Sequence, residues 1–141
     1  MRDRVGRHLV ANGIITDEQR SEALALQRRE GGVFGQILVR MGACSREDVG
    51  GALATQKTLT SINLGQVEVD PEALKLITRE GCLENGIVPF ERFGSLLCLA
   101  MARPQNRSTV LIVKNATEMP VKPYKAAWDD IQSVIDTHYN G

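Results

Sequence analysis

The sequence predicts an α+β fold: an N-terminal helical lobe of two tandem helix-turn-helix hairpins over residues 1–59, then a small α/β lobe over residues 60–141. Three observations carry this expectation. The stretch from Arg4 to Gln56 states one 24-residue pattern twice, with helix caps and stops at equivalent places. After Gln56 the chain turns to short β-branched and apolar runs divided by turn residues. Five of the six aromatic residues fall after residue 60, which places the larger core in the second lobe.

The repeat runs from Arg4 to Gln27 and again from Val33 to Gln56, with five residues, Arg28 to Gly32, between the units. Aligned without a gap, the units match at nine positions: Gly6/Gly35, Leu9/Leu38, Val10/Val39, Gly13/Gly42, Glu18/Glu47, Ala23/Ala52, Leu24/Leu53, Ala25/Ala54 and Gln27/Gln56. Unrelated segments do not agree so often, so this is an internal duplication.

The elements follow in order. Arg4 to Asn12 is a short helix with Val5, Leu9 and Val10 on one side and Gly13 as its stop. Thr16 caps the next helix, with Gln19 as the capping-box partner and Asp17 and Glu18 at its positive end, and the helix runs to about Arg29. The second unit repeats this plan with a helix from Phe34 to Met41, Gly42 as stop, Ser45 as cap and a last helix to about Lys57. Gly50-Gly51 costs that helix about 1 kcal/mol per glycine, so a packing or ligand constraint is expected there.

Lys57 to Asn63 suits a linker entering a strand. Asp70-Pro71 starts a helix from Glu72 to about Thr78, and a second runs from Arg79 to Glu84 with Asn85-Gly86 ending it. Ile87 to Arg92 and Leu96 to Met101 form a β-hairpin around Phe93-Gly94-Ser95. Arg107 to Ala116 reads as a helix, although Val110 to Val113 would also suit a strand. Val121 to Lys125 is a strand, placed at an edge because it contains Pro123. Ala127 to Tyr139 closes the chain as an amphipathic helix bearing Trp128, Ile131, Val134 and Ile135.

Composition narrows the function. Seventeen basic and seventeen acidic side chains cancel, so no long-range field draws the chain to nucleic acid or anionic membrane. No apolar run reaches the roughly 18 residues that span a bilayer, and the first residues are charged, so the expected compartment is the cytoplasm without direct membrane insertion. Cys44, Cys82 and Cys98 have neither disulfide nor zinc spacing and read as small buried hydrophobes. His8 and His138 lack a carboxylate or cysteine at ligand spacing. With no nucleophile–base pair, metal cluster or Gly-x-x-x-x-Gly-Lys-Ser/Thr phosphate loop, the chain reads as neither an enzyme nor a motor, and no cofactor is expected.

The repeated pattern of Arg-apolar-Gly, two apolar residues, Gly, two more apolar residues and a closing Leu-x-x-Gln resembles the MshEN family. This is the N-terminal domain of type II secretion and type IV pilus assembly ATPases. Val69 to Ile77 (Val-Asp-Pro-Glu-Ala-Leu-Lys-Leu-Ile), Ile87-Val-Pro-Phe-Glu91 and Leu99-Ala-Met-Ala102 are similar to the family as well, so the resemblance covers essentially the whole chain. It implies a cyclic di-GMP receptor domain, with a secretion, pilus or signalling protein as partner. The first unit then supplies Arg4, Val5, Gly6, Leu24 and Gln27 to the ligand, and the second supplies Phe34, Gly35, Leu53 and Gln56. Arg2, Arg28 and Val33 are secondary candidates.

Such a ligand makes chemical sense of the repeat. Cyclic di-GMP has two guanines and two phosphates, so two equivalent half-sites suit it. An arginine forks onto a guanine edge or stacks on its face, glycine lets backbone approach closely, and glutamine both donates and accepts.

Against the family pattern, Val33 stands where the second unit has arginine, which removes a charge-assisted contact worth about 1.5–3 kcal/mol. Arg7, Arg28, Arg29 and Arg40 are the candidates to compensate. Val5 replaces a leucine, Arg20 an apolar residue, and Ala43 and Cys44 a larger aliphatic pair. Arg103 replaces an aspartate, reversing a charge expected near the ligand. With the phosphate loop missing, the chain reads as a domain that has lost its ATPase or as a piece of one. Helix packing alone would demand Leu9, Leu24, Leu38, Leu53, Gly13 and Gly42, so the functional information is assigned to Gly6, Gly35, Gln27 and Gln56. The competing readings are a ligand-free interaction adaptor and, disfavoured by the neutral charge, a DNA-binding helix-turn-helix protein.

Overall fold

A computed structural model describes residues 4–56 and 59–139. Arg2, and the expected helix end at Lys57, lie outside those residues. Four helices come first: α1 (Arg4–Ala11), α2 (Asp17–Glu30), α3 (Phe34–Arg40) and α4 (Arg46–Ala54). The two helix pairs obey the same local chemistry. Gly13 and Gly42 take positive φ after α1 and α3, at 72° and 78°. Thr16 and Ser45 each accept from the backbone of the third helical residue and complete a capping box, with Gln19 and Asp48 as partners.

The remainder alternates strand and helix: β1 (Thr60–Ser61), a 3-10 turn (Leu64–Gln66), α5 (Pro71–Leu74), α6 (Arg79–Asn85), β2 (Ile87–Phe93), β3 (Leu96–Met101), α7 (Arg107–Thr117), β4 (Val121–Lys125) and α8 (Trp128–His138). The architecture is therefore α+β, as expected. The sheet order is β1-β4-β3-β2, with β2 antiparallel to β3 and the other pairs parallel. Helix α7 makes the crossover between parallel β3 and β4, so Val110 to Val113 is helical. Leu97, Leu99 and Met101 face Val113 of α7 in one apolar cluster. Leu96, Cys98 and Ala100, on the opposite face, share a cluster with α8 (Ile131, Val134, Ile135) and with Val33, Val49 and Leu53 of the helical half. The largest core is thus shared between sheet and helices. A separate cluster around Leu9, Ala23, Ile37, Leu38 and Ala52 holds the four helices to one another.

Three expectations change. Strand β4 is not at the edge, because β1 pairs outside it. The proline is tolerated for a geometric reason. Ala126 N–H donates to Met101 of β3, whereas the Lys125 carbonyl accepts from Ile62 beyond β1, so alternation turns position 123 toward β1. Pairing there starts only at Thr60 opposite Tyr124, just past the proline. Helix α5 stops at Leu74, short of Thr78, because Thr78 serves as N-cap of α6 and accepts from Gly81 N–H at 3.0 Å. Helix α4 ends at Ala54 with Thr55 as C-cap. Cys82 and Cys98 are buried, Cys44 partly so, and Trp128 of α8 is more exposed than its inward placement implied.

A bulge positions the sheet against the helices. In the β2–β3 ladder Pro89 pairs with Leu99 but Glu91 pairs with Cys98, so β2 carries one extra residue. In regular pairing Glu91 would sit opposite Leu97 and face α7. The bulge turns Glu91 and Phe93 to the face that meets α3 and α4.

Candidate functional site

Between the helical half and the β1–β4 side of the sheet lies a cleft of about 910 Å³. Both repeat units open onto it. Arg4 and Val5 come from the start of α1, Leu24 and Gln27 from the later turns of α2, Phe34 and Gly35 from the start of α3, Leu53 from the end of α4 and Gln56 from just past it. These are eight of the nine residues proposed from the repeat, and Val33 lines the cleft with them. Duplicated helix pairs thus present the same ends, the start of one helix and the finish of the next, to one space. Gly6 is buried but not among the lining residues. Arg28 is exposed and also outside them.

The floor and far wall were not read from the sequence. The spacer contributes Gly31 and Gly32, the segment around the 3-10 turn Ile62, Asn63 and Gln66, and β4 Lys122 and Tyr124. A period-two reading of Lys122-Pro-Tyr-Lys-Ala126 would have put Lys122, Tyr124 and Ala126 on one face of β4. Gly31 and Gly32 are required as glycines. Their φ angles are +74° and +99°, and a Cβ on Gly31 would lie 2.5 Å from the Gln66 side chain.

Gln27 donates from Nε2 to the Gly32 carbonyl at 3.0 Å, so it braces the spacer as well as lining the cleft. Gln56 donates from Nε2 to Thr55 Oγ1 at 3.1 Å, and its carbonyl accepts from Lys122 Nζ at 2.8 Å. Lys122 is only 7% exposed, and burial pushes its ammonium pKa below the usual lysine range. Phe90 stacks edge-on to Tyr124 behind this wall at a centroid distance of 5.4 Å. Among the described lining residues Arg4 and Lys122 are the cations, and no acidic side chain is present. The cleft is therefore apolar-walled, amide-rich and positive.

Gly35 has a packing role beside the one its sequence position suggested. A Cβ there would approach Val49 Cγ1 to 2.6 Å and Phe93 Cζ to 3.1 Å, so close helix packing also demands glycine. Of the arginines expected to compensate for Val33, none lines the cleft; Arg40 pairs instead with Glu68 at 3.5 Å on the surface. Arg103 is likewise exposed and outside the lining.

On β2, at the sheet edge opposite β1, Glu91 joins the two halves. It is 1% exposed, accepts from Gln36 Nε2 at 2.9 Å and from Arg92 N–H at 2.8 Å, and is ion-paired with Arg46 at the start of α4. Gln36 uses its amide a second time, on the Glu68 carbonyl at 2.7 Å. Burial raises the Glu91 carboxyl pKa; Gln36, Arg46 and the Arg92 amide oppose that rise, while Asp70 adds to it. Among the described residues no cluster of metal ligands is found, and no helix is long and apolar enough to cross a membrane.

Comparison with known proteins gives consistent results. The model of the MshEN domain family matches residues 58–141. The chain is 30% identical over 139 residues to the type IV pilus assembly ATPase PilB of Myxococcus xanthus, covering 99% of this chain and 25% of that protein. It is 25% identical over 138 residues to PilB of Thermus thermophilus, covering 96% of this chain and 16% of that protein. The chain thus spans a quarter or less of these relatives' length. A solved structure of MshE with cdg superposes with a TM-score of 0.55 and 26% identity, covering 98% of this chain and 100% of that one. The N-terminal domain of XpsE shares the fold, with a TM-score of 0.50, 18% identity and coverage of 97% and 94%.

Proposed function

We propose that this chain, which belongs to the MshEN domain family, is a cyclic di-GMP receptor domain of a secretion or type IV pilus system. The division into a helical lobe of residues 1–59 and an α/β lobe of residues 60–141 is part of that proposal. The observation that carries it is the convergence of both repeat units on one cleft with no acidic side chain among its described lining residues. Its volume of about 910 Å³ lies within the range of small-molecule sites. Support also comes from the likeness to MshE, whose structure contains cdg.

In this reading Arg4 meets a guanine edge or phosphate, Val5, Phe34, Leu24 and Leu53 pack on purine faces, and Gln27 and Gln56 supply polar contacts. The domain binds and does no chemistry, works in the cytoplasm, and passes ligand occupancy to a protein partner. Equilibrium dialysis with labelled cyclic di-GMP tests the assignment of residues. Arg4→Ala should weaken binding about tenfold to a hundredfold and Gln27→Ala severalfold, while Val33→Ala leaves it nearly unchanged. Equal effects from all three would mean the site is misplaced.

A second reading, a ligand-free adaptor, is favoured by one feature of the surface. Leu111 and Ile112 stand side by side on α7, 57% and 56% exposed.

A further inference from the structure

We infer that Lys122 is the second cation of this site: it stands in for the guanidinium that the second repeat unit lacks and meets a phosphate of the dianionic ligand. The inference rests on the nucleotide-binding reading above and adds a residue that neither repeat unit contains.

Val33 occupies the position equivalent to Arg4, is buried, and lines the cleft, so the second unit offers apolar surface where the first offers charge. A dianion held by Arg4 alone would leave one phosphate uncompensated in a partly desolvated space. Lys122 enters the same cleft from the sheet side. The alternation of β4 turns it toward the helices with Tyr124, and its ammonium donates to the carbonyl of Gln56, the residue that closes the second unit. That bond fixes where the charge sits. An ammonium acts as a compact point charge with three donors, so its attraction for a phosphate does not depend on a vacant hydrogen.

Electrostatics agree with this placement. Lys122 is a cation held largely out of water; burial lowers its pKa, and an arriving anion relieves that cost. The two cations belong to different elements, the start of α1 and the middle of β4. Bound phosphates would therefore tie the helical half to the sheet.

Calorimetric titration with cyclic di-GMP of the wild-type chain, Lys122→Met and the double variant Lys122→Met/Val33→Arg tests the inference. Wild-type binding with about a tenfold to hundredfold loss in Lys122→Met, and recovery of most of it in the double variant, is the expected result. Wild-type binding that Lys122→Met leaves unchanged would overturn the role of Lys122 and leave the receptor reading standing. An inert wild-type chain would overturn both. Should Lys122→Met fail to fold, the side-chain ammonium resonance of Lys122 in the wild-type protein is followed by NMR. A rise in its pKa on ligand addition supports the contact, and no change contradicts it.

Discussion

Glu91 is an ionisable group in an almost fully enclosed position, and both of its oxygens are occupied. Its partner Arg46 is 48% exposed, so the pair is lopsided. Removing the arginine leaves a carboxylate in the interior, whereas removing the carboxylate leaves a guanidinium that water still solvates. Arg46→Met should therefore destabilise the fold by about 1–3 kcal/mol at neutral pH, and Glu91→Gln by less. The pH dependence has a definite sign. The folded-state pKa of Glu91 is already raised, so its ionised form costs stability above that pKa, and the cost disappears as pH falls through it. Loss of Arg46 raises the pKa further. Urea titrations at several pH values should show the Arg46→Met deficit shrinking on acidification, and a deficit equal at mildly acidic and neutral pH would contradict the assignment. At this scale the sequence was legible only in part. Gln27 and Gln56 could be named because the repeat marks them, and Arg4 because the family pattern does, but Glu91 and Lys122 sit in strands whose facing depends on a bulge and on sheet order.

Among the elements, α4 shows how one helix answers to two constraints. Gly50 and Gly51 look equally costly in sequence, yet they differ in space. A Cβ on Gly50 would lie 2.2 Å from the carbonyl oxygen of Phe93, while a Cβ on Gly51 would meet nothing within 4 Å. The backbone of β2 thus approaches α4 at Gly50, at the end of the strand that the bulge turned toward the helices. Gly50→Ala should destabilise by about 1–3 kcal/mol, and Gly51→Ala should stabilise by up to about 1 kcal/mol through helix propensity. Denaturation midpoints of the two variants should move in opposite directions; a shift of the same sign would remove the packing explanation. Caps and stops were legible because they are local: Thr16, Ser45, Gly13, Gly42 and Gly86 act on residues within a turn. The place of β4 was not, because Pro123 forbids a hydrogen bond on one side only and the two-residue partner on that side pairs only past the proline.

For the whole molecule, the α+β class followed from the tandem hairpins and the later strand pattern. What the sequence did not reveal is that the largest apolar cluster joins both halves, with Val33, Val49 and Leu53 packed among residues of the sheet and α8. That shared core makes the cleft a boundary feature: one wall is the duplicated helices, the other β4 with β1 and the 3-10 turn. A ligand there touches both halves at once, which gives binding a route to the surfaces a partner would read. Duplication explains why two equivalent sets of helix ends face one space; on the proposed reading, their divergence at Arg4 and Val33 is why the sheet must contribute if two phosphates are to be met.

On the proposed reading this cleft takes up one cyclic dinucleotide across both repeat units. Isothermal titration of the chain with cyclic di-GMP, beside GMP as a half-ligand, tests it most directly. Saturable binding of about one cyclic di-GMP per chain, far tighter than GMP because two half-sites act together, is the predicted result. No heat up to high micromolar cyclic di-GMP, or affinity no better than that of GMP, would contradict it.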